Sequence, residues 1–134
     1  MDSTELHQDR FLRILWDDLT RIIGIDWKES TAAMTDDEMK EELALFARYV
    51  EDNRASCILV DVTRFQHRMG PEFQQWRVQN ISPRYSAAGV KRFAFLLPPD
   101  ADVPSAINQS APGEAFVTRA FNNRDGAIAW LTQH

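Results

Sequence analysis

Short apolar runs rich in branched and aromatic residues alternate along the chain with segments whose apolar residues recur at helical spacing. The first kind of run predicts strands, and the second predicts helices. Strands are predicted over residues 11–16, 19–27, 57–62, 93–97 and 116–121. Helices are predicted over residues 36–52, from Gly70-Pro71 to a break at Pro83, over 84–88, and from Asn122 or Asn123 to Leu131. Because strands alternate with helices, we expect an α/β fold with a mostly parallel sheet and right-handed crossovers.

The N-terminal part of the chain departs from this alternation. Asp17 and Asp18 supply a turn between the first two predicted strands, so we expect these strands to form an antiparallel β-hairpin. Residues 1–9 are polar, and we expect them to be a flexible N-terminus. Residues 10–134 are expected to fold as a single domain, because a chain of 134 residues has room for one domain rather than two.

The first helix has the clearest boundary signal. Thr35 and Glu38 have the spacing of a capping box, in which each side chain bonds the backbone N–H of the other residue. Met34 and Met39 are spaced for a hydrophobic staple around the same turn. The apolar residues at helical spacing predict the buried stripe of this helix: Met39, Leu43, Phe46, Ala47 and Val50.

The charge distribution narrows the classes of function. The net charge of -5 argues against a protein that binds nucleic acid by neutralising phosphates. Residues 1–67 carry 15 acidic and 8 basic side chains, whereas residues 68–134 carry 5 acidic and 7 basic ones. Part of this asymmetry comes from acids expected on the solvated face of the first helix: Glu41, Glu42, Glu51 and Asp52. We expect a cytoplasmic protein without a membrane span, because no long apolar run and no apolar leader is present.

The sequence contains no recognisable catalytic or metal-binding motif. His7, His67 and His134 are widely spaced, and neither a metal-ligand pair nor a phosphate-binding glycine loop is present. The single cysteine, Cys57, lies within an apolar run and is expected to be buried. We therefore predict no catalytic residue, no metal site and no cofactor.

One polar cluster follows the central predicted strand, at the end where ligands bind in α/β sheets. Its members are Asp61, Thr63, Arg64, His67 and Arg68. As a ligand-binding site, its aspartate would orient a cation or a histidine, and its three basic residues would hold an anion near the next helix. The interpretation that we favour is plainer: the aspartate caps a turn and the basic residues are solvated. Under either interpretation, Arg77 and Arg84 would extend the same basic face.

Several short segments occur in a characteristic order over residues 9–132. They are the opening strand pair that ends near Trp27, and residues 34–38, 58–61, 70–76, 89–95, 121–123 and 129–131. In this order they resemble the SpoIIAA-like family of small bacterial proteins, which are relatives of STAS domains. The resemblance implies a half-barrel, a right-handed β-α superhelix with its helices on one side of a mostly parallel sheet. Similar half-barrels occur in STAS anti-sigma-factor antagonists and in CRAL-TRIO lipid-binding proteins.

The chain departs from the STAS antagonists at their regulatory position. Those proteins place a phosphorylated Ser next to a Gly at the start of the helix after the central strand, where its charge controls partner binding. Here Met69 precedes Gly70, and Thr63 lies nearer the end of the strand. We therefore expect no phosphorylation switch of the antagonist kind.

Three functions are compatible with these observations. The resemblance and the lack of a catalytic motif favour a non-catalytic regulatory or protein-interaction module that acts through a protein partner or by self-association as a homodimer. The alternative is a protein that binds a small apolar or anionic ligand beneath residues 98–114, a long loop that contains several prolines. The least supported function is an enzyme that uses Asp61 and His67.

Overall fold

Six strands form one sheet within residues 3–101 and 114–133, the part of the chain that the computed structural model describes. The strands are β1 (Thr4–Gln8), β2 (Leu12–Asp17), β3 (Ile22–Trp27), β4 (Cys57–Asp61), β5 (Arg92–Leu96) and β6 (Val117–Phe121). Their order in the sheet is their order in the chain. β2 pairs antiparallel with both β1 and β3, whereas β3, β4, β5 and β6 pair parallel. The predicted α/β fold, with its mostly parallel sheet and its β2–β3 hairpin, is confirmed.

The α-helices within these residues follow the predicted order, and a 3-10 helix precedes them. A 3-10 helix spans Glu29–Ala33, and the α-helices are α1 (Asp36–Asn53), α2 (Phe73–Asn80), α3 (Ser82–Ala88) and α4 (Arg124–Leu131). At the start of α1 the capping box forms: the Glu38 N–H donates to Thr35 Oγ1 at 3.1 Å, and the Thr35 N–H donates to Glu38 Oε1 at 3.0 Å. Within the described ranges, no helix combines the length and the apolar character that crossing a bilayer requires.

The break predicted at Pro83 separates α2 from α3. Pro83 occupies the first turn of α3, where a missing backbone N–H breaks no helical hydrogen bond. α3 ends at Ala88 and is followed by Gly89, whose φ of 101° lies in the left-handed region that a side chain disfavours. Local sequence signals therefore set both ends of this short helix.

Residues 1–9, expected to be a flexible N-terminus, contain a strand, while residues 1 and 2 lie outside the described part of the chain. Thr4–Gln8 forms β1, which pairs with β2 at the edge of the sheet. The turn after it is fixed by Asp9, whose carboxylate accepts hydrogen bonds from the backbone N–H groups of Phe11 and Leu12. The side chains of β1 are mostly polar, so the pattern of apolar residues did not predict this strand. A strand at the edge of a sheet needs backbone pairing but little burial.

Helices cover both faces of the sheet, so the expected arrangement with helices on one side is wrong. Successive residues of a strand point to opposite faces. In β4, Ile58 and Val60 pack into the apolar cluster that contains α1, α2 and α3, whereas Cys57 and Leu59 pack with α4. The physical reason is the continuous apolar run of this strand, which requires cover on both faces.

The predicted burial of Cys57 is confirmed on the α4 face. Its thiol donates a hydrogen bond to the carbonyl oxygen of Leu131 at 3.3 Å. Burial raises the pKa of the thiol, which keeps it protonated and a poor nucleophile. Cys57 is therefore a packing residue that joins β4 to the end of α4.

Candidate functional site

The predicted polar cluster separates into parts that lie on different faces of the sheet. Asp61, the last residue of β4, faces α4, as Cys57 and Leu59 do. Its Oδ1 atom accepts hydrogen bonds from the Thr63 N–H at 2.9 Å and the Thr63 hydroxyl at 2.6 Å. Its Oδ2 atom accepts one from Arg124 Nη2 at 3.0 Å. Asp61 thus caps the turn after β4 and ties that turn to the first residue of α4, in agreement with the plainer interpretation.

His67 is held at the opposite face. Its Nε2 atom lies 2.8 Å from Oδ1 of Asp36, the first residue of α1, and its ring packs edge-on against Phe65. Its side chain is nearly buried. Because Asp61 faces α4 and His67 contacts the start of α1, the two side chains are engaged on opposite faces of the sheet. The geometry therefore gives no support to an enzyme that uses them together.

The basic members of the cluster do not converge on one anion. Arg64, Asp61 and Thr63 line a polar cavity of about 390 Å³ at the end of β3 and β4. Arg68 is exposed and lies outside the lining of this cavity, as His67 does. The structure therefore brings three of the five predicted residues together.

Two arginines compensate the carboxylates beside this cavity. The predicted polar cluster did not include either of them. Asp26 of β3 is the register neighbour of Asp61, so two carboxylates lie side by side. Arg13 Nη2 is 3.0 Å from Asp26 Oδ2, and Arg124 Nη2 is 3.8 Å from Asp26 Oδ1. These groups are partly exposed, so each ion pair contributes at most about 1 kcal/mol. These ion pairs compensate the charged groups beside the polar cavity, and they link the strands to α4.

A second, larger cavity lies between the sheet and helices α1, α2 and α3. Its volume is about 630 Å³, within the range of about 300–1,000 Å³ that is typical of small-molecule sites. Its lining is mostly aliphatic and aromatic: Ile25, Trp27, Met39, Leu43, Val60, Val62, Phe65, Met69, Phe73, Tyr85, Phe93 and Phe95. The remaining lining residues that the structure describes are Gln74, Arg77, Glu114 and Thr118. We call this space the apolar cavity.

Strand register and helical periodicity bring the lining of the apolar cavity together. Ile25, Val60 and Phe95 are register neighbours on β3, β4 and β5, and they point to the same face of the sheet. Residues four apart lie on one side of a helix. Two such pairs face the cavity: Met39 with Leu43 on α1, and Phe73 with Arg77 on α2.

The polar side of the apolar cavity centres on Arg77. Its Nη1 atom is 4.0 Å from Glu114 Oε2 and 3.4 Å from Ser82 Oγ, and its Nε atom is 3.4 Å from Gln74 Oε1. The side chains of Arg77 and Glu114 are 22% and 5% exposed. Tyr85 is buried in the same wall, and burial raises its pKa, so its phenol is neutral at pH 7.

Arg77 and Arg84 do not extend a basic face with the polar cluster. Arg84 pairs with Glu51 of α1 through two contacts, of 2.6 Å and 3.1 Å, that fix α3 against α1. Arg77 instead lines the apolar cavity. The loop over residues 98–114, under which a ligand was expected, contributes Glu114 to this lining, and residues 102–113 lie outside the described part of the chain.

The apolar periodicity of the sequence predicts several residues of the apolar cavity as core residues and does not indicate a site there. Met39 and Leu43 were predicted to be buried, and they are. A residue that borders a cavity and a residue that fills a core have the same periodicity in sequence. A cavity and a filled core differ in how far the helices lie from the sheet, and the sequence does not give this distance.

Comparison of the chain with models of protein families, with curated proteins and with solved structures finds no match. Among the residues that the structure describes, no group of three or more His, Cys, Asp or Glu side chains is placed to hold a metal ion.

Proposed function

We propose that the protein binds an apolar small molecule in the apolar cavity. The observation that carries the proposal is a space of about 630 Å³ bounded mainly by aliphatic and aromatic side chains. Protein interiors are close-packed, and side chains around an unfilled space lose dispersion contacts. A matching ligand restores these contacts and removes apolar surface from water, at about 25 cal/mol per Å².

The resemblance to SpoIIAA-like proteins belongs to the proposal as well. Its support is the observed order of an N-terminal antiparallel pair followed by parallel β-α units. The half-barrel shape, the bacterial family and the cytoplasmic location stay predictions. Action through a protein partner or a homodimer, which the sequence favoured, also stays a prediction. The apolar cavity is the specific observation that leads us to place small-ligand binding first.

Native mass spectrometry of freshly purified protein and titration with the neutral dye Nile red test the proposal. We expect the wild-type protein to retain a small molecule or to bind the dye. Val62→Trp should weaken dye binding by about tenfold or more, because the larger side chain occupies the cavity from its half-exposed rim.

Ile128→Trp is the matched control for this substitution. Ile128 is half-buried and packs with the cluster around α4, on the other face of the sheet. The control should bind the dye as the wild-type protein does. Equal affinity of Val62→Trp and the wild-type protein, or no binding by either, would contradict the proposal.

A further inference from the structure

We infer that the ligand of the apolar cavity has one uncharged end group that both donates and accepts hydrogen bonds, as a long-chain alcohol does, and that this group lies between Arg77 and Glu114. The inference rests on the proposed function, since it concerns the same cavity. It goes further by naming the class of ligand and the residues that select it.

The first observation behind this inference is the charge of the cavity lining. Arg77 and Glu114 are the charged residues among the described lining, and their side chains approach to 4.0 Å. One positive and one negative group give this lining a net charge of zero, and Tyr85 adds a neutral phenol. A ligand carboxylate would meet the carboxylate of Glu114, and a ligand ammonium would meet the guanidinium of Arg77. In a water-poor site, either like-charge contact costs more free energy than it does in water.

The second observation is the hydrogen-bonding capacity of Arg77. A guanidinium has five N–H donors. The contacts of Arg77 with Gln74 and Ser82 are both 3.4 Å, longer than the usual range of about 2.7–3.2 Å for an N–H donor and an oxygen. Arg77 can therefore donate a shorter hydrogen bond to a hydroxyl oxygen that enters the cavity.

The carboxylate of Glu114 supplies the complementary acceptor. Its two oxygens offer about four acceptor positions, so it can accept a hydroxyl proton in addition to the contacts that it already makes. The side chain of Glu114 is almost fully buried, so little of it is in contact with bulk water. A hydroxyl group placed between Arg77 and Glu114 thus accepts from one residue and donates to the other without adding charge.

Displacement of Nile red by three ligands with the same chain tests this inference: decan-1-ol, decanoic acid and decylamine at pH 7. We expect the alcohol to displace the dye at a concentration about tenfold lower than the acid and the amine, because each charged end group leaves a buried partner of like charge. Displacement by the acid or the amine at an equal or lower concentration than the alcohol would overturn the inference and leave the proposed function intact. If the dye binds and none of the three ligands displaces it, the inference fails as well, whereas the proposed function fails only if the dye itself does not bind.

Two variants that each remove one charge sharpen the test. Glu114→Gln removes the negative charge and should shift the preference towards the acid, whereas Arg77→Gln removes the positive charge and should shift it towards the amine. Both variants are first checked by circular dichroism, and the series on the wild-type protein decides the inference if either fails to fold. An unchanged order of the three ligands in both folded variants would overturn the assignment of Arg77 and Glu114.

Discussion

Asp9 and Glu42 bring two carboxyl groups together where the β1–β2 turn meets α1. Asp9 Oδ2 is 2.8 Å from His7 Nε2, and the carboxyl group of Asp9 is close enough to that of Glu42 to interact with it. Burial, and next the interaction with Asp9, raise the pKa of Glu42 to about 8. The sequence placed Glu42 on the solvated face of α1, but the turn at Asp9 partly covers it. The contact between these two distant segments therefore raises the pKa of Glu42.

The raised pKa of Glu42 predicts a stability that depends on pH. The folded protein retains the proton up to about pH 8, whereas the unfolded chain releases it near the ordinary value of 4.5. Stability from this group is therefore fully present below pH 4.5 and is lost as the pH rises through 8. Glu42→Gln, which mimics the protonated form, should raise the Tm at pH 8 and leave it nearly unchanged at pH 5.

Asp52→Asn is the control for Glu42→Gln, because Asp52 is exposed on the same helix and is not among the charged groups that raise the pKa of Glu42. Thermal unfolding followed by circular dichroism should give this control the same loss of Tm between pH 5 and pH 8 as the wild-type protein. A Glu42→Gln protein with that same loss would show that Glu42 is ionised in the folded state.

At the scale of elements, α1 is the helix whose start the local sequence defines most completely. Both hydrogen bonds of its capping box form, and Met34 and Met39 are buried in the same apolar cluster on either side of the cap. We expect Thr35→Ala to lower the free energy of unfolding by about 1 kcal/mol, the usual cost of losing a helix N-cap. Urea unfolding monitored by circular dichroism measures the change.

Thr35→Ser separates the effect of the cap from that of the methyl group. Serine retains the hydroxyl that accepts the Glu38 N–H, so its stability should stay close to that of the wild-type protein. Equal losses for Thr35→Ala and Thr35→Ser would mean that the hydroxyl contributes little to α1.

At the scale of the whole molecule, the sheet separates two regions of different character. The apolar cavity lies on the face covered by α1, α2 and α3, and the other face packs against α4. On the α4 face, Trp130 contacts Phe121 at 5.6 Å between ring centroids, and Arg92 lies over its ring. A change on that face should therefore affect stability without changing the apolar cavity.

Trp130→Phe tests this separation. The smaller ring should lower the free energy of unfolding, because it leaves space beside Phe121, whereas the affinity for Nile red should stay the same. Trp130→Ala should cost more, about 3–5 kcal/mol. A loss of dye affinity in folded Trp130→Phe protein would show that the two faces are coupled.

The sequence by itself determined the elements whose signals are local. The cap from Thr35 to Glu38 spans four residues, and the apolar run that forms β4 can be recognised without a distant partner. The α/β class followed from the alternation of such segments. Burial of Cys57 followed as well, because its neighbours in the chain are apolar.

The tertiary structure alone decided what depends on contacts between distant segments. β1 exists through its pairing with β2, His67 contacts Asp36 across 31 positions, and Asp61 contacts Arg124 across 63. The apolar cavity likewise depends on how far α1, α2 and α3 lie from the sheet. Periodicity reports which side of an element is apolar, but the packing of complete elements fixes which side chains meet and where space is left between them.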